Sequence, residues 1–248
     1  MNVVYILWLR EMRRYLRSPG HVLASLGQPL VFLFVLGIGF GPIFARSGNG
    51  DYFQFVAPGV IGMIILFTSV LSGVPLMLDR EFGSLKETLV APVPRYSILL
   101  GRMLGGGTIA ILQGLIVAVI SVIAGLRPVS IAALPVALLF MAFIASMFTA
   151  LGMAAGSVLV DVQSFPLVMN FVVMPVFLFS GALFPLANLP KLLGYVTGLD
   201  PLAYGVDGLR MALIGASHFG VSTDLAVVAI VSGVLFAVAT YLFSRIEI

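Results

Sequence analysis

The sequence predicts an all-α, polytopic membrane protein with six transmembrane helices. Three observations carry this. Mean hydropathy is +1.16. Only 9% of the 248 residues are charged and 60% are hydrophobic, where a soluble domain carries about 25% charge. Several stretches exceed about 18 residues without a charge, the length a helix needs to cross the hydrocarbon core. A transmembrane barrel would show short strands of alternating polarity, and these apolar runs are continuous. The pattern reads as one membrane domain over residues 1–248, with no low-complexity tract and no internal repeat.

The spans are expected near Leu26–Phe44, Phe55–Leu78, Ile98–Leu126, Ile131–Leu159, Phe165–Phe184 and Leu225–Phe243. The third and fourth are long enough to tilt or project from the bilayer. An even number puts both termini on one side. Lys and Arg near the spans set orientation. Arg10, Arg13, Arg14, Arg17, Arg80, Lys86, Arg95, Arg102 and Arg245 lie on the terminal side. Arg46, Arg127, Lys191 and Arg210 lie on the other. Nine against four places both termini in the cytoplasm. The net charge of +3 matters less than this placement.

Residues 1–24 are expected to hold an amphipathic interfacial helix. Arg10, Arg13, Arg14 and Arg17 recur at spacings of three and four and share a face. Trp8, Met12, Tyr15 and Leu16 fall largely on another. Such a helix lies in the interface plane, with its cations toward anionic headgroups. A plain positive-inside anchor is the simpler alternative. The short apolar stretch Val3–Leu9 precedes the basic cluster, the reverse of a cleavable signal.

The cytoplasmic loop at 79–97 concentrates charge: six of the chain's twenty-three charged residues lie between Asp79 and Arg95. Gly83 permits a sharp turn. Ser84-Leu85-Lys86-Glu87 fits a capping box, in which Ser84 accepts from the N–H three residues on and Glu87 reaches back. Leu85 and Leu89 share a face, and Pro92 and Pro94 stop any helix. The expected element is a short helix from Ser84 to Val90, with an apolar stripe and a rim of Lys86, Glu87 and Thr88. A helical loop with a solvated face fits the spacing equally well.

The outer connection, 185–224, is long but apolar. Asp200-Pro201 is a helix start: an Asp cap, then Pro where no N–H is needed. Gly215 is the matching stop. A helix of about 14 residues is about 21 Å long, too short to span. Short helices that dip into the outer leaflet are expected, as is the alternative of an amphipathic surface helix.

What the chain lacks narrows its function. With no cysteine, disulfides, thiol catalysis and Cys-based metal sites are excluded. A P-loop needs Gly-Lys-Ser/Thr, but the two lysines, Lys86 and Lys191, follow Leu85 and Pro190. No span has an Asp, Glu, Lys or His near its centre, where an ion-coupled transporter keeps one. His21 and His218 fall on opposite sides and cannot share a metal, so no metal site is expected. Ser217-His218 reads as loop polarity, because a serine nucleophile needs its base in reach and a third orienting group.

Three segments carry a resemblance. "REFGSLKETLVAPVPR" is similar to the first cytoplasmic loop of type-2 ABC exporter permeases, whose pattern is Glu-x-x-x-Gly-Thr/Ser-Leu, then Glu and a Leu-x-x-Pro ending. Gly83, Ser84, Leu85, Glu87, Leu89 and Pro92 match it, while Glu81 stands only two residues before Gly83. "FSGALFPLANLP" (179–190) with "LDPLAYGVDGLR" (199–210) resembles the end of the fifth span and the outer re-entrant region. "QFVAPGVIGMIIL" (54–66) resembles the start of the second span. The chain looks closest to permeases that export drugs, nodulation factors and polysaccharides.

The resemblance implies a permease of a bacterial or archaeal cytoplasmic membrane, working as a homodimer or with a paralogue. It implies a separate ABC ATPase subunit that binds ATP and Mg, leaving this chain with no cofactor and no catalytic residue. Residues 83–90 become the coupling helix seated in a groove of that ATPase. The path lies between two permeases, lined by the second and fifth spans. Its candidates here are Thr68, Ser69, Ser72, Asn170, Met174 and Phe177, an apolar lining with neutral hydrogen-bonding groups that suits amphiphiles better than ions. Gly37/Gly41, Gly101/Gly105 and Gly152/Gly156 serve close helix contacts, within one chain or at a dimer seam. Membrane lipid is the other expected partner, and nucleic acid is not. An ATP-independent channel and a non-transport scaffold are the alternatives.

Overall fold

A computed structural model of the chain describes residues 3–46, 51–83, 93–159, 161–186 and 190–246. Helices α1 (Val3–Leu16), α2 (Pro19–Arg46), α3 (Tyr52–Leu71) and α4 (Val74–Glu81) come first. Next are α5 (Arg95–Ile123), α6 (Leu134–Val158), α7 (Phe165–Val168) and α8 (Met174–Phe179), with a π-turn, Met169–Val173, between the last two. Helices α9 (Lys191–Leu199), α10 (Pro201–Ile214) and α11 (Val221–Ser244) complete the chain. No strand occurs among the described residues. Six segments are long and apolar enough to cross a membrane: Val22–Ile43, Tyr52–Glu81, Arg95–Ile123, Ile131–Val158, Val162–Phe179 and Val221–Ser244. These are the six expected spans, with the fifth ending at Phe179 rather than Phe184.

Helix α3 is the axle of the bundle. Val56, Val60, Ile61, Ile65 and Leu66 are fully buried against α2, α5, α6 and α10. Asp51 caps its start, accepting from the Phe53 N–H at 2.9 Å. The span breaks at Ser72-Gly73. Pro75 in the first turn of α4 has no N–H for the Leu71 carbonyl, so the ladder cannot continue. Gly73 also lies against the Gly152 backbone, where a Cβ would strike the carbonyl. The second span is therefore a long helix followed, after Ser72-Gly73, by an eight-residue extension.

Small residues set the other contacts. A Cβ at Gly152 would strike the Val70 carbonyl, and one at Gly156 would press on Gly73. Gly101 and Gly105 admit Leu7 and Glu11 of α1 onto α5, and Gly37 lies against Phe53. Two of the three glycine pairs thus serve packing within the chain; a Cβ at Gly41 would meet nothing within 4 Å among the described residues.

The fifth span is the least regular. Pro166 and Pro175 sit in the first turns of α7 and α8, and the π-turn between them carries Asn170. A π-turn leaves backbone groups off the regular ladder and recurs at functional positions. Leu167, Phe171, Val172 and Leu178 are exposed here. Exposed apolar residues also cover α2 and α11, among them Ile38 and Ile230, as a lipid-facing exterior requires.

Candidate functional site

Two ends of the bundle can be distinguished. The proximal end holds α1, the start of α5 and the end of α11; the last two are joined because Arg95 of α5 donates to the Ser244 carbonyl at 2.6 Å and the Ile246 carbonyl at 3.0 Å. The distal end holds α10 and the turns around it.

The proximal end is organised around Asp79 of α4. Its carboxylate pairs with the Arg102 guanidinium of α5 and lies 3.5 Å from Arg10 of α1. Arg10 also pairs with Glu11 at 3.2 Å. Arg102 is only 2% exposed, while the Arg10 side chain is 45% exposed. One acid thus joins three helices, and the deep arginine is its principal partner. Arg80 of the same short helix donates to the Ser157 carbonyl at 3.4 Å. The single tryptophan, Trp8, anchors α1 by donating to Thr108 Oγ1 at 3.1 Å.

Beside this cluster lies a cavity of about 690 Å³. Glu11, Arg14, Tyr15 and Arg102 line its charged end. Ser25, Thr68, Ser72 and Gln113 supply neutral polar groups, and Leu71, Leu78, Ile109 and Met153 supply apolar wall. Thr68 donates to Gln113 Oε1, and Gln113 Nε2 donates to Ser25 Oγ at 2.8 Å. This chain of polar groups joins α2, α3 and α5 inside one polypeptide.

The path candidates divide accordingly. Thr68 and Ser72 face the cavity within the chain, and Ser72 also donates to the Ser69 carbonyl at 2.6 Å. Ser69 is fully buried. Phe177 is buried edge-on against Phe67, with centroids 5.8 Å apart. Asn170 and Met174 are exposed on the fifth span. In the first helix Arg10, Arg13, Arg14 and Arg17 are exposed, while Trp8 is half-buried. Of the coupling segment, Gly83 is described, with the positive φ of 78° that a sharp turn uses; Ser84, Leu85, Lys86, Glu87, Thr88, Leu89 and Val90 lie outside the described residues.

The distal end is capped by α10. Asp200 accepts from the Leu202 N–H at 2.9 Å, Pro201 follows, and Gly215 ends the helix at φ 73°. Start, stop and the 14-residue length match the sequence expectation. Arg210 of α10 donates to the Gly181 carbonyl at 3.0 Å, and its guanidinium lies 4.0 Å from the Phe55 ring centroid. Burial lowers its pKa to about 10. Burial pushes the Asp200 carboxyl up to about 7, against the opposing hydrogen bond from Leu202.

Asp207 accepts from Ser217 Oγ at 3.0 Å, the His218 N–H at 2.7 Å and the Phe219 N–H at 2.9 Å. It folds the loop before α11, and Ser217 and His218 are loop residues here, as expected. Gln54 Nε2 donates to the Gly125 carbonyl at 2.7 Å and its Oε1 accepts from the Arg127 N–H at 3.0 Å. Val129 N–H donates to the Leu213 carbonyl at 3.0 Å. These bonds fasten the distal turns to α3 and α10.

The sequence reading missed Asp79, Gln113's bridging role and the buried acids Asp207 and Asp224. For Asp79 a signal existed. It stands four residues before Gly83, the spacing at which the Glu-x-x-x-Gly pattern has its acid.

Comparison with known proteins places this architecture. The model of the ABC-2 type transporter family matches residues 2–214. Nodulation protein J of Rhizobium leguminosarum bv. viciae is 27% identical over 245 residues, covering 96% of this chain and 94% of that protein. The inner membrane transport permease YadH of Escherichia coli K12 is 26% identical, over 95% of this chain and 90% of its own. A putative transport permease, ycf38, of Pyropia yezoensis is 33% identical over 78% of this chain and 68% of its own. With a six-span helical bundle and a family match over most of its length, the chain belongs to the ABC-2 type transporter family and is a transport permease.

Proposed function

We propose that the chain is the membrane subunit of an ATP-driven exporter whose ATPase is a separate polypeptide. The supporting observation is the Asp79 junction. The expected coupling segment, Ser84–Val90, begins five residues after Asp79. A force on that segment reaches α4 first, and through Asp79 it reaches α5 and α1 together. The break at Ser72-Gly73 lets α4 move as a short lever against the buried α3.

In this reading both termini and α1 face the cytoplasm, which the arginine distribution supports, and α1 lies along the headgroups. Two permeases pair, and the substrate passes between them. The exposed Asn170 and Met174 on the irregular fifth span supply the path surface. Thr68, Ser69, Ser72 and Phe177 stand behind it as support within each chain. The substrate is an amphiphile, since the exposed surface is apolar with few neutral polar groups.

The test is transport into liposomes by the permease with its ATPase. Leu85→Asp places a charge on the apolar stripe expected to dock. ATP-driven accumulation should fall at least tenfold in that variant while the permease stays folded. Unchanged accumulation, or equal flux without ATP, would overturn the reading.

A further inference from the structure

The cavity at the proximal end is walled by residues from α1 to α6 of one chain. Its volume, about 690 Å³, is that of a small-molecule site, about 300–1,000 Å³. Its chemistry is graded along one helix. Arg102 stands at the charged end and Gln113 at the neutral end of α5. Eleven residues of helix separate them, about 16 Å, roughly half the hydrocarbon core. Between them Ile109 contributes apolar wall from the same helix, and Leu71 contributes it from α3.

The charged end favours an anion. Arg10, Arg14 and Arg102 face two acids, Glu11 and Asp79, and the acids are engaged by Arg10 and Arg102. Arg14 makes no ion pair among the described residues and stands exposed at the rim. Arg102 is 98% buried, since its exposure is 2%, and its Nε has no partner among the described residues. Tyr15 also lines the cavity, and its hydroxyl is buried without a partner among the described residues. A buried donor left unsatisfied costs about 1–3 kcal/mol. An anionic oxygen acceptor would satisfy these donors and balance the extra cation.

We propose that this cavity binds a single-chain amphiphile with one anionic headgroup, taken from the leaflet that faces α1. The headgroup sits among Arg14, Tyr15 and Arg102, and the alkyl chain runs past Leu71 and Ile109 toward Gln113. The drug-sized volume admits one chain rather than two. The assignment of leaflet rests on the exporter reading, whereas binding itself is measured on the permease alone, without ATPase. Loss of the ATPase partnership and loss of this site are therefore separate results.

The experiment titrates purified permease, in a neutral detergent, with palmitoyl lysophosphatidic acid, palmitoyl lysophosphatidylcholine and inorganic phosphate. The lysophosphatidic acid should bind one per chain and at least tenfold tighter than the other two. Arg14→Gln should weaken it at least tenfold and Arg14→Lys by less than threefold. Ile109→Trp should fill the chain-binding region and abolish binding; should that variant not fold, Leu71→Trp carries the same test. Equal binding of the zwitterionic lipid, or binding untouched by Arg14→Gln, would overturn the site. Phosphate binding as tightly as the lipid would overturn the amphiphile in favour of a soluble anion, and no binding at all would overturn the proposal outright.

Discussion

Replacing Asp79 with Asn keeps the shape of the side chain and removes the charge that holds Arg102. Arg102 is 2% exposed and cannot turn to water. Removing one partner of a fully buried pair costs about 3–5 kcal/mol, because the other charge is stranded. The Asp79 side chain is 21% exposed, which screens the pair and favours the lower end, about 3 kcal/mol. For a chain of this size about 2–4 °C of Tm accompanies each kcal/mol, so Asp79→Asn should lower Tm by about 6–12 °C. Arg10→Gln should cost about 0.5 kcal/mol, since that partner is largely solvated. The control is the double variant Asp79→Asn, Arg102→Met. It removes both charges and replaces the guanidinium with apolar bulk, which is often neutral or stabilising. Thermal unfolding in detergent should show most of the loss recovered. An Asp79→Asn variant with unchanged Tm, or a double variant that adds the two losses, would refute the view that this pair joins the helices.

Gln113→Leu should cost about 1 kcal/mol, because half-buried Thr68 and Ser25 lose the partner that joins three helices; the same Tm assay reads it. Gly152→Leu should prevent recovery of folded protein or move the break in the second span, since its side chain meets the Val70 carbonyl; size-exclusion profiles report this. Asp200 has its pKa raised to about 7 by burial. The folded state therefore holds a proton that the unfolded chain releases near its ordinary value. Stability from this group is present below about pH 4 and is lost as pH rises toward 7. Asp200→Asn keeps the cap without the charge, so it should raise Tm at pH 8 and leave it unchanged at pH 4.

The spans were legible because their signal is local. A run of apolar residues reports itself; the fifth end shifted most, from Phe184 to Phe179, where Ser180 and Gly181 turn the chain, and the other ends moved less. The caps of α10 were legible for the same reason: Asp200, Pro201 and Gly215 each act on backbone within a few residues. The Asp79–Arg102 pair was not, because the partners are 23 residues apart with a loop between them. Pro75 breaks the second span locally, but the close approach of Gly73 to Gly152 brings in a residue of another span. The neighbours of Thr68 are hidden for a similar reason. It reads as a polar residue in an apolar helix, and only folding brings it to donate to Gln113 of α5. Asp207 falls inside the helix expected between Pro201 and Gly215 and Asp224 at the end of the outer connection, and only folding buries them.

The central claim is that this permease is moved by a separate ATPase through the segment following Asp79. The direct measurement is co-purification of the chain with candidate ATP-binding subunits in mild detergent, with and without Leu85→Asp. A stoichiometric Walker-type ATPase should co-elute with the native chain and be lost from the variant. A permease that purifies without any ATPase, or an ATPase whose association ignores Leu85→Asp, would contradict it.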